Sequence, residues 1–200
     1  MQILLIRHGE SEADLLNVHE GRADFELTEM GRKQVQALVQ RVQKDFPPDL
    51  IWSSTLKRAR ETAETLAETV GCPVNLEAEL MEFNNGIQAG MPFEEAKKHP
   101  VPKFLHDRFE NGESFIEFRM RIETIFSKIV TENTHDRIAV VAHGGVIISI
   151  LRAFFQMPMN MDYYFKIGDT GISMIELTNA DKNKVIHFIN DTSHLESTFR

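Results

Sequence analysis

Three short segments carry the residues whose types and spacing suit chemistry on an anion. Arg7 and His8 follow one apolar run, Arg58 follows a second, and His143 follows a third. Imidazole nitrogens act as nucleophiles or general bases near neutral pH, and guanidinium groups grip oxyanions through a planar fork of N–H donors. Two histidines with two arginines therefore indicate a site for a small anion.

Glycines extend this pattern. Gly144 and Gly145 directly follow His143, at the predicted start of an apolar helix. Unobstructed amide groups at a helix N-terminus bind anions well. In a chain of net charge −8, a pocket with this cationic character indicates a small dianionic ligand.

The elements that must position these residues alternate between strands and helices. Buried parallel strands are predicted at 2–6, 50–52 and 138–142. Helices are predicted to begin at Thr28, after Ser54, at the Ser114–Glu117 capping box and at Val146. Two last β-prone runs, Ile172–Leu177 and Val185–Ile189, are joined by a turn rich in Asn, Asp and Lys and predict a hairpin at a sheet edge. The order predicts an α/β fold: a three-layer α/β/α arrangement whose sheet is mostly parallel with an antiparallel edge strand.

Because strands of this kind end at one edge of the sheet, Arg7, His8, Arg58 and His143 are expected to converge there. Residues 1–200 are predicted to form a single domain. The segment at about 73–111 carries two glycines, four prolines and little periodicity, so it is predicted to be a cap-like excursion from the core.

Composition limits the possible partners. With 42% hydrophobic and 26% charged residues, the chain is too apolar to be disordered, and its acidity disfavours nucleic acids and anionic membranes. No apolar stretch approaches the ~18 residues that span a bilayer, and the start does not resemble a signal peptide. Cys72 is the only cysteine, which precludes intramolecular disulfides and favours a reducing, cytoplasmic location.

The order of several motifs resembles that of a known family. Residues 7–12, Arg-His-Gly-Glu-Ser-Glu, resemble the RHG signature of the histidine phosphatase superfamily, in its phosphoglycerate-mutase-like branch. Four further segments resemble family elements in the family's order: 21–31, 53–63, 80–90 and 142–145. An isolated RHG occurs by chance, but the ordered set is specific.

The resemblance implies an activity and residue roles. His8 would be the nucleophile that forms a phosphohistidine, which water then hydrolyses. Arg7, Arg58 and His143 would stabilise charge on the phosphoryl oxygens. Glu82 would be the proton donor to the leaving group, which requires its proton to be retained at neutral pH. The implied substrate-binding residues are Arg7, Arg58, His143, Gly144, Asn17 and Gly21. Neither a metal nor a cofactor is implied, and the expected substrate is a small phosphorylated metabolite.

The chain departs from the family pattern at Asp14, where the family usually has an asparagine that donates to phosphate. Either Asp14 points away, or Asn17 has taken over the donor role, or turnover is slow or the substrate unusual. The segment after Glu82 also lacks the Arg-His-Tyr of cofactor-dependent phosphoglycerate mutases, and 200 residues is short for that group. Both features favour a phosphatase over a mutase.

Three alternatives remain open from the sequence. One is a phosphoglycerate-type mutase, and another is a phosphate-binding regulatory protein with weak turnover. The third, a metal-dependent hydrolase using His8, Glu10, His19 and His143, has no supporting ligand spacing. The remaining histidines, including His19 and His99, are predicted to be surface or hydrogen-bonded residues.

Substrate specificity is assigned to the excursion and to the loop Met157–Phe165. Several methionines and aromatic residues in and beside this loop predict an adaptable apolar wall: Met157, Met159 and Met161 with Phe154, Phe155, Tyr163 and Tyr164. The oligomeric state is not predicted.

Overall fold

A computed structural model describes residues 1–160, 164–178 and 183–196. Its strands are β1 (Gln2–Arg7), β2 (Leu50–Ser54), β3 (Val74–Glu77), β4 (Arg137–Ala142), β5 (Ile172–Leu177) and β6 (Lys184–Asp191). Its α-helices are α1 (Glu12–Leu16), α2 (Glu29–Asp45), α3 (Lys57–Val70), α4 (Phe93–Ala96), α5 (Phe115–Glu132), α6 (Gly144–Phe154) and α7 (Ser193–Glu196). Short 3₁₀ turns lie at Ala78–Leu80 and Gly86–Gln88.

These strands form one mixed sheet in the order β3-β2-β4-β1-β5-β6. The pairs β1–β4, β2–β4 and β2–β3 are parallel. Strand β5 runs antiparallel to both β1 and β6. The predicted mostly parallel sheet with a C-terminal hairpin is confirmed, and the antiparallel strand lies second from the edge.

Each face of the sheet buries its own apolar core. Side chains alternate along a strand, so Ile3 and Leu5 face α5 and α6 while Leu4 and Ile6 face α2 and α3. All four are fully buried. Helices on both faces make the three-layer α/β/α arrangement predicted from the sequence.

Two helices begin where the sequence predicted. Thr28 caps α2, with its hydroxyl accepting from the amide of Gly31 at 2.8 Å. Ser114 and Glu117 form the reciprocal capping box of α5. These caps satisfy amides that the first helical turn leaves without partners.

Two elements differ from the sequence interpretation. Val74–Glu77 pairs with β2 as the sheet's edge strand, so the predicted excursion at 73–111 begins only after Glu77. Its four residues, Val-Asn-Leu-Glu, are exposed or only partly buried and contain no apolar run to indicate a strand. Within a stretch that the sequence presents as merely polar, Ser11 caps the short helix α1.

Parts of two predictions lie outside the described residues. Positions 179–182 of the turn between β5 and β6 are among these, as are Met161 and Tyr163 of the predicted apolar wall. In the described ranges no helix is both long and apolar enough to cross a membrane.

Candidate active site

Parallel pairing of the two central strands brings the two histidines together. Arg7 at the end of β1 is in register with Ala142 at the end of β4. The next residue along, His8, donates its amide to the Ala142 carbonyl at 3.0 Å. The imidazoles of His8 and His143, remote in the chain, therefore lie with ring centroids 5.1 Å apart.

The ring of His8 is oriented by the backbone. Its Nδ1 lies 2.7 Å from the Gly9 carbonyl, and because a carbonyl only accepts, Nδ1 carries the proton. Burial, followed by the charges of Arg58 and Arg7, lowers the pKa of His8 well below its usual value. The imidazole is therefore neutral, and its Nε2 lone pair faces the Nε–H of Arg58 at 3.2 Å. This is the protonation state that a nitrogen nucleophile needs.

Arg58 is fixed from the opposite side. Its side chain is fully buried, and its two Nη groups donate to the carbonyls of Ala23 and Gly21, each at 2.9 Å. The loop after α1 thus aims the Nε–H of Arg58 at His8. Burial lowers the pKa of Arg58, and Glu20 opposes that effect.

Arg7 is held by the segment before β5. Nη1 donates to the Ile167 carbonyl at 2.8 Å, and Nη2 pairs with Asp169 at 3.0 Å. Its buried Nε has no hydrogen-bond partner among the described residues. The Nε–H of Arg7 thus remains for an anion.

His143 has a similar arrangement. Its Nε2 and the Ser54 hydroxyl at the end of β2 lie 2.8 Å apart. Within the described ranges its buried Nδ1 lacks a partner. Burial, then the charges of Arg58, His8 and Arg7, lowers the pKa of His143 well below its usual value.

Arg7, His8, Arg58 and His143, with the adjoining amide of Gly144, form what we call the anion site. Glu82 lies beside it. Its Oε2 accepts from the amide of Gly145 at 2.9 Å and its Oε1 from the amide of Phe83 at 2.8 Å. The first turn of α6 therefore fixes the carboxyl group to which the family resemblance gives the role of proton donor.

Gly145 gives a direct test of the Glu82 position. A Cβ at residue 145 would lie 2.5 Å from Glu82 Oε1, so Gly145→Ala is expected to displace the carboxyl group and lower kcat about tenfold. At Gly144 a Cβ meets only Arg7 Cδ at 4.0 Å, so Gly144→Ala is expected to cost much less. Steady-state kinetics of both variants measure the difference. If adding Gly145→Ala to the Glu82→Gln variant lowers kcat by a further tenfold, the effect of Gly145→Ala does not act through Glu82.

The structure places the other predicted binding residues differently. Gly21 contributes its carbonyl to Arg58, at a positive φ of 48° that favours glycine. Asn17 ends α1 with its side chain exposed and its amide donating to the Leu15 carbonyl, so it is not brought to the anion site. Asp14 turns back to accept from the amide of Ser11 at 2.9 Å, which is the first of the three alternatives for this residue.

Two acidic residues of the site were missed by sequence reasoning. Glu20 pairs with Arg58 at 3.1 Å, and Asp169 pairs with Arg7. Glu20 directly precedes the Gly21 motif, and this adjacency was a usable signal. Asp169 lies outside every matched motif, so nothing in the sequence marked it.

Two cavities adjoin the anion site and share Glu20, Glu82, Phe83 and Phe115. One has a volume of about 360 Å³ and includes Arg7, Gly144, Arg152 and the described wall residues Met159 and Tyr164. The other, of about 640 Å³, includes His19, Gln88, Phe93, Lys97 and His99. His19 and His99, predicted to be ordinary surface or satisfied residues, thus line a cavity beside the site.

The metal-dependent alternative requires a cluster of metal-ligating side chains. Among residues 1–160, 164–178 and 183–196, no group of three or more His, Cys, Asp and Glu side chains could hold a metal ion. The combination of His8, Glu10, His19 and His143 therefore does not form a ligand set.

Paired histidines and arginines at the carboxyl ends of strands in a three-layer α/β fold form a site suited to a phosphoryl group, the group on which phosphatases and mutases act. Residues 3–192 match the histidine phosphatase superfamily (branch 1), and the chain belongs to that family. This confirms the resemblance seen in the motifs.

Similar proteins agree with this assignment. A phosphoglycerate mutase-like protein 4 of Arabidopsis thaliana is 32% identical, over 98% of this chain and 88% of that protein. A metal-independent phosphoserine phosphatase of the same plant is 31% identical, over 98% of this chain and 84% of that protein. The crystal structure of phosphoserine phosphatase from Entamoeba histolytica in complex with 3-phosphoglyceric acid has a TM-score of 0.81 at 28% identity, covering 97% of this chain and 98% of that one. The relatives thus include both phosphatases and mutase-like proteins.

Proposed function

We propose that this protein is a metal-independent phosphatase that hydrolyses small phosphomonoesters through a phosphohistidine on His8. The observation that carries the proposal is the geometry of His8, whose Nδ1 is committed to the Gly9 carbonyl while its Nε2 faces Arg58. A neutral, oriented imidazole beside two guanidinium groups suits attack on phosphorus.

In the first step, Nε2 of His8 forms a bond to phosphorus as the bond from phosphorus to the ester oxygen breaks. The leaving oxygen takes a proton from Glu82. Charge on the equatorial oxygens is stabilised by Arg7, Arg58 and His143, whose donors are already oriented. The product of this step is an alcohol and phosphohistidine.

In the second step, a water molecule attacks phosphorus and the bond to Nε2 of His8 breaks. Glu82, now a carboxylate, accepts the proton of that water. Inorganic phosphate leaves and the neutral imidazole is restored. Both steps balance without an oxidant, a reductant or a metal ion.

The cavities beside the anion site support a small substrate. Their volumes of about 360 and 640 Å³ suit the alcohol part of a phosphorylated metabolite. Relatives named for phosphoserine make a phosphorylated hydroxy acid the first class to test. A cytoplasmic location and the absence of nucleic-acid and membrane partners stay predictions.

Mutase activity is the second candidate, because one 32%-identical relative is named as mutase-like. A mutase returns the phosphoryl group to a second hydroxyl and excludes water. Measured phosphoryl exchange between positions of a phosphoglycerate, faster than phosphate release, would establish it over the phosphatase.

A phosphohistidine is retained in alkali and hydrolysed by acid, and this property provides the test of the phosphatase mechanism. Protein pre-treated with EDTA is expected to hydrolyse an aryl phosphate and, when quenched in alkali with radiolabelled substrate, to retain label on His8 that acid releases. Peptide mapping locates the label. Absence of turnover together with phosphate-induced thermal stabilisation would instead support the regulatory alternative, and turnover lost with EDTA would contradict metal independence.

A further inference from the structure

The Glu20 carboxyl group lies against two residues of the anion site, Arg58 and His8. Its Oε1 is 3.1 Å from Arg58 Nε, and its Oε2 is 3.7 Å from His8 Nε2. The Ser11 hydroxyl donates to Oε1 from the other side. The side chain is only 20% exposed, so water does little to screen these interactions.

A bound phosphoryl group must occupy the same region. At the point of attack, phosphorus lies about 3–3.5 Å from the nucleophilic nitrogen. Its oxygens then approach Arg58 from the side on which Glu20 lies. A carboxylate and a dianion would therefore share one guanidinium group at close range, which is electrostatically costly in a buried site.

We propose that Glu20 is a further binding residue of the phosphoryl site, which takes up a proton when the anion binds and then donates a hydrogen bond to an anion oxygen. Binding is thus the association of protein, dianion and one proton. The proposal rests on the proposed function, since it assigns the anion to the His8 site. Under this proposal, the site binds a substrate anion when Glu20 carries a proton.

The surroundings of Glu20 favour uptake of a proton. Burial raises the pKa of Glu20, and Asp14 adds to that effect, while Arg58, the Ser11 hydroxyl and Arg7 oppose it. A dianion beside the carboxyl group adds negative charge and shifts the pKa further upward. In the part of the chain that the structure describes, the charged and titratable groups around Glu20 come from five elements. They are Arg7 and His8 at the end of β1, Asp14 in α1, Arg58 in α3, and Glu82 and Asp169 from the loops that follow β3 and precede β5.

Glu20 could also respond to an anion by rotating away as a carboxylate, without taking up a proton. Glu20 also lines the cavity of about 640 Å³, into which a charged carboxylate has room to turn. Rotation without protonation would leave anion binding without proton uptake. Proton stoichiometry therefore separates the two responses.

Sulfate is a suitable probe because its charge is constant across the working pH range. Calorimetric titration with sulfate in two buffers of different ionisation enthalpy counts the protons taken up by the unaltered protein. The dissociation constant is measured in parallel between about pH 5.5 and about pH 8.5. Above the pKa of Glu20, affinity is expected to fall by about tenfold per pH unit, as linkage to one proton requires.

Glu20→Gln supplies the variant, and Glu26→Gln the matched control. Glutamine keeps the shape and a donor without the charge, so this variant is expected to bind sulfate about tenfold or more tightly at the alkaline end, with a flatter pH dependence. His8 and His143 are present in both proteins, so the difference between the profiles isolates Glu20. Glu26 is a half-exposed carboxylate paired with Lys57, and its variant is expected to retain the original profile.

The two proposals fail in different ways. Proton uptake near zero in the unaltered protein, or unchanged pH dependence in Glu20→Gln, overturns the role of Glu20 while leaving hydrolysis untouched. The calorimetric proton count needs no variant, so a count near zero overturns the role of Glu20 even if Glu20→Gln does not fold. Proton-linked sulfate binding that Glu20→Gln abolishes, without any hydrolysis of phosphomonoesters, would instead uphold the role of Glu20 and contradict the proposed phosphatase activity.

Discussion

Replacement of His8 by alanine is expected to lower kcat by about 10³-fold or more and to eliminate the trapped phosphoenzyme. The variant keeps Arg7, Arg58 and His143, so it is expected still to bind the anion. It lacks only the nitrogen that bonds to phosphorus. Steady-state hydrolysis of an aryl phosphate, followed by alkaline quenching with radiolabelled substrate, measures both effects.

The folded state of that variant needs its own check, because His8 is fully enclosed and accepts from Arg58. His8→Gln keeps polar atoms in the space and provides a second variant. His187→Ala is the control, since that ring is exposed on β6 and pairs with Glu176. Wild-type rates in a folded His8→Ala protein would place the nucleophile elsewhere and contradict the mechanism.

Much of the fold was accessible from the sequence because each central strand is an unbroken apolar run followed by a helix with a clear period. Strands β1 and β4 were predicted in this way, and their parallel pairing follows from the crossover connection. That pairing places Arg7 opposite Ala142. The meeting of His8 and His143 was therefore predictable from two local patterns.

The parts that escaped prediction depend on contacts rather than on patterns. Strand β3 has no apolar run, because it lies at the edge of the sheet and its side chains are exposed or only partly buried. Asp169 reaches Arg7 only because β5 folds back beside β1. The conformation of Asn17 could not be anticipated either, since the end of α1 turns its amide toward Leu15 instead of the anion site.

Acidic residues lie in this cationic site because its buried positive charges need partners of opposite charge. Arg58 is fully buried, and an unpaired buried charge costs much more than a paired one. Glu20 and the carbonyls of Gly21 and Ala23 compensate it. A site built to hold an anion therefore also holds counter-charges that the anion must displace or neutralise, and composition alone does not show where those lie.

Because the partners of Arg58 are matched to its guanidinium group, Arg58→Lys is expected to lower both activity and stability although it keeps the positive charge. Arg58 makes contact with His8, Gly21 and Ala23 through three separate nitrogens, whereas a lysine has one nitrogen at the end of a flexible stem. The loop carbonyls lose their donors and Nε2 of His8 loses its alignment. We expect kcat/KM to fall about 10²–10³-fold and the free energy of unfolding to fall by about 1–3 kcal/mol.

Arg60→Lys is the matched control for this prediction, because Arg60 lies two residues along the same helix, is exposed and pairs with Glu64. It is expected to change stability by less than about 0.5 kcal/mol and to leave kinetics unaltered. Urea unfolding and steady-state kinetics on both variants make the comparison. Equal, small effects at the two positions would mean that any cation suffices at position 58. The fork of donors that aligns His8 would then have no part in catalysis, because a single ammonium group cannot reproduce it.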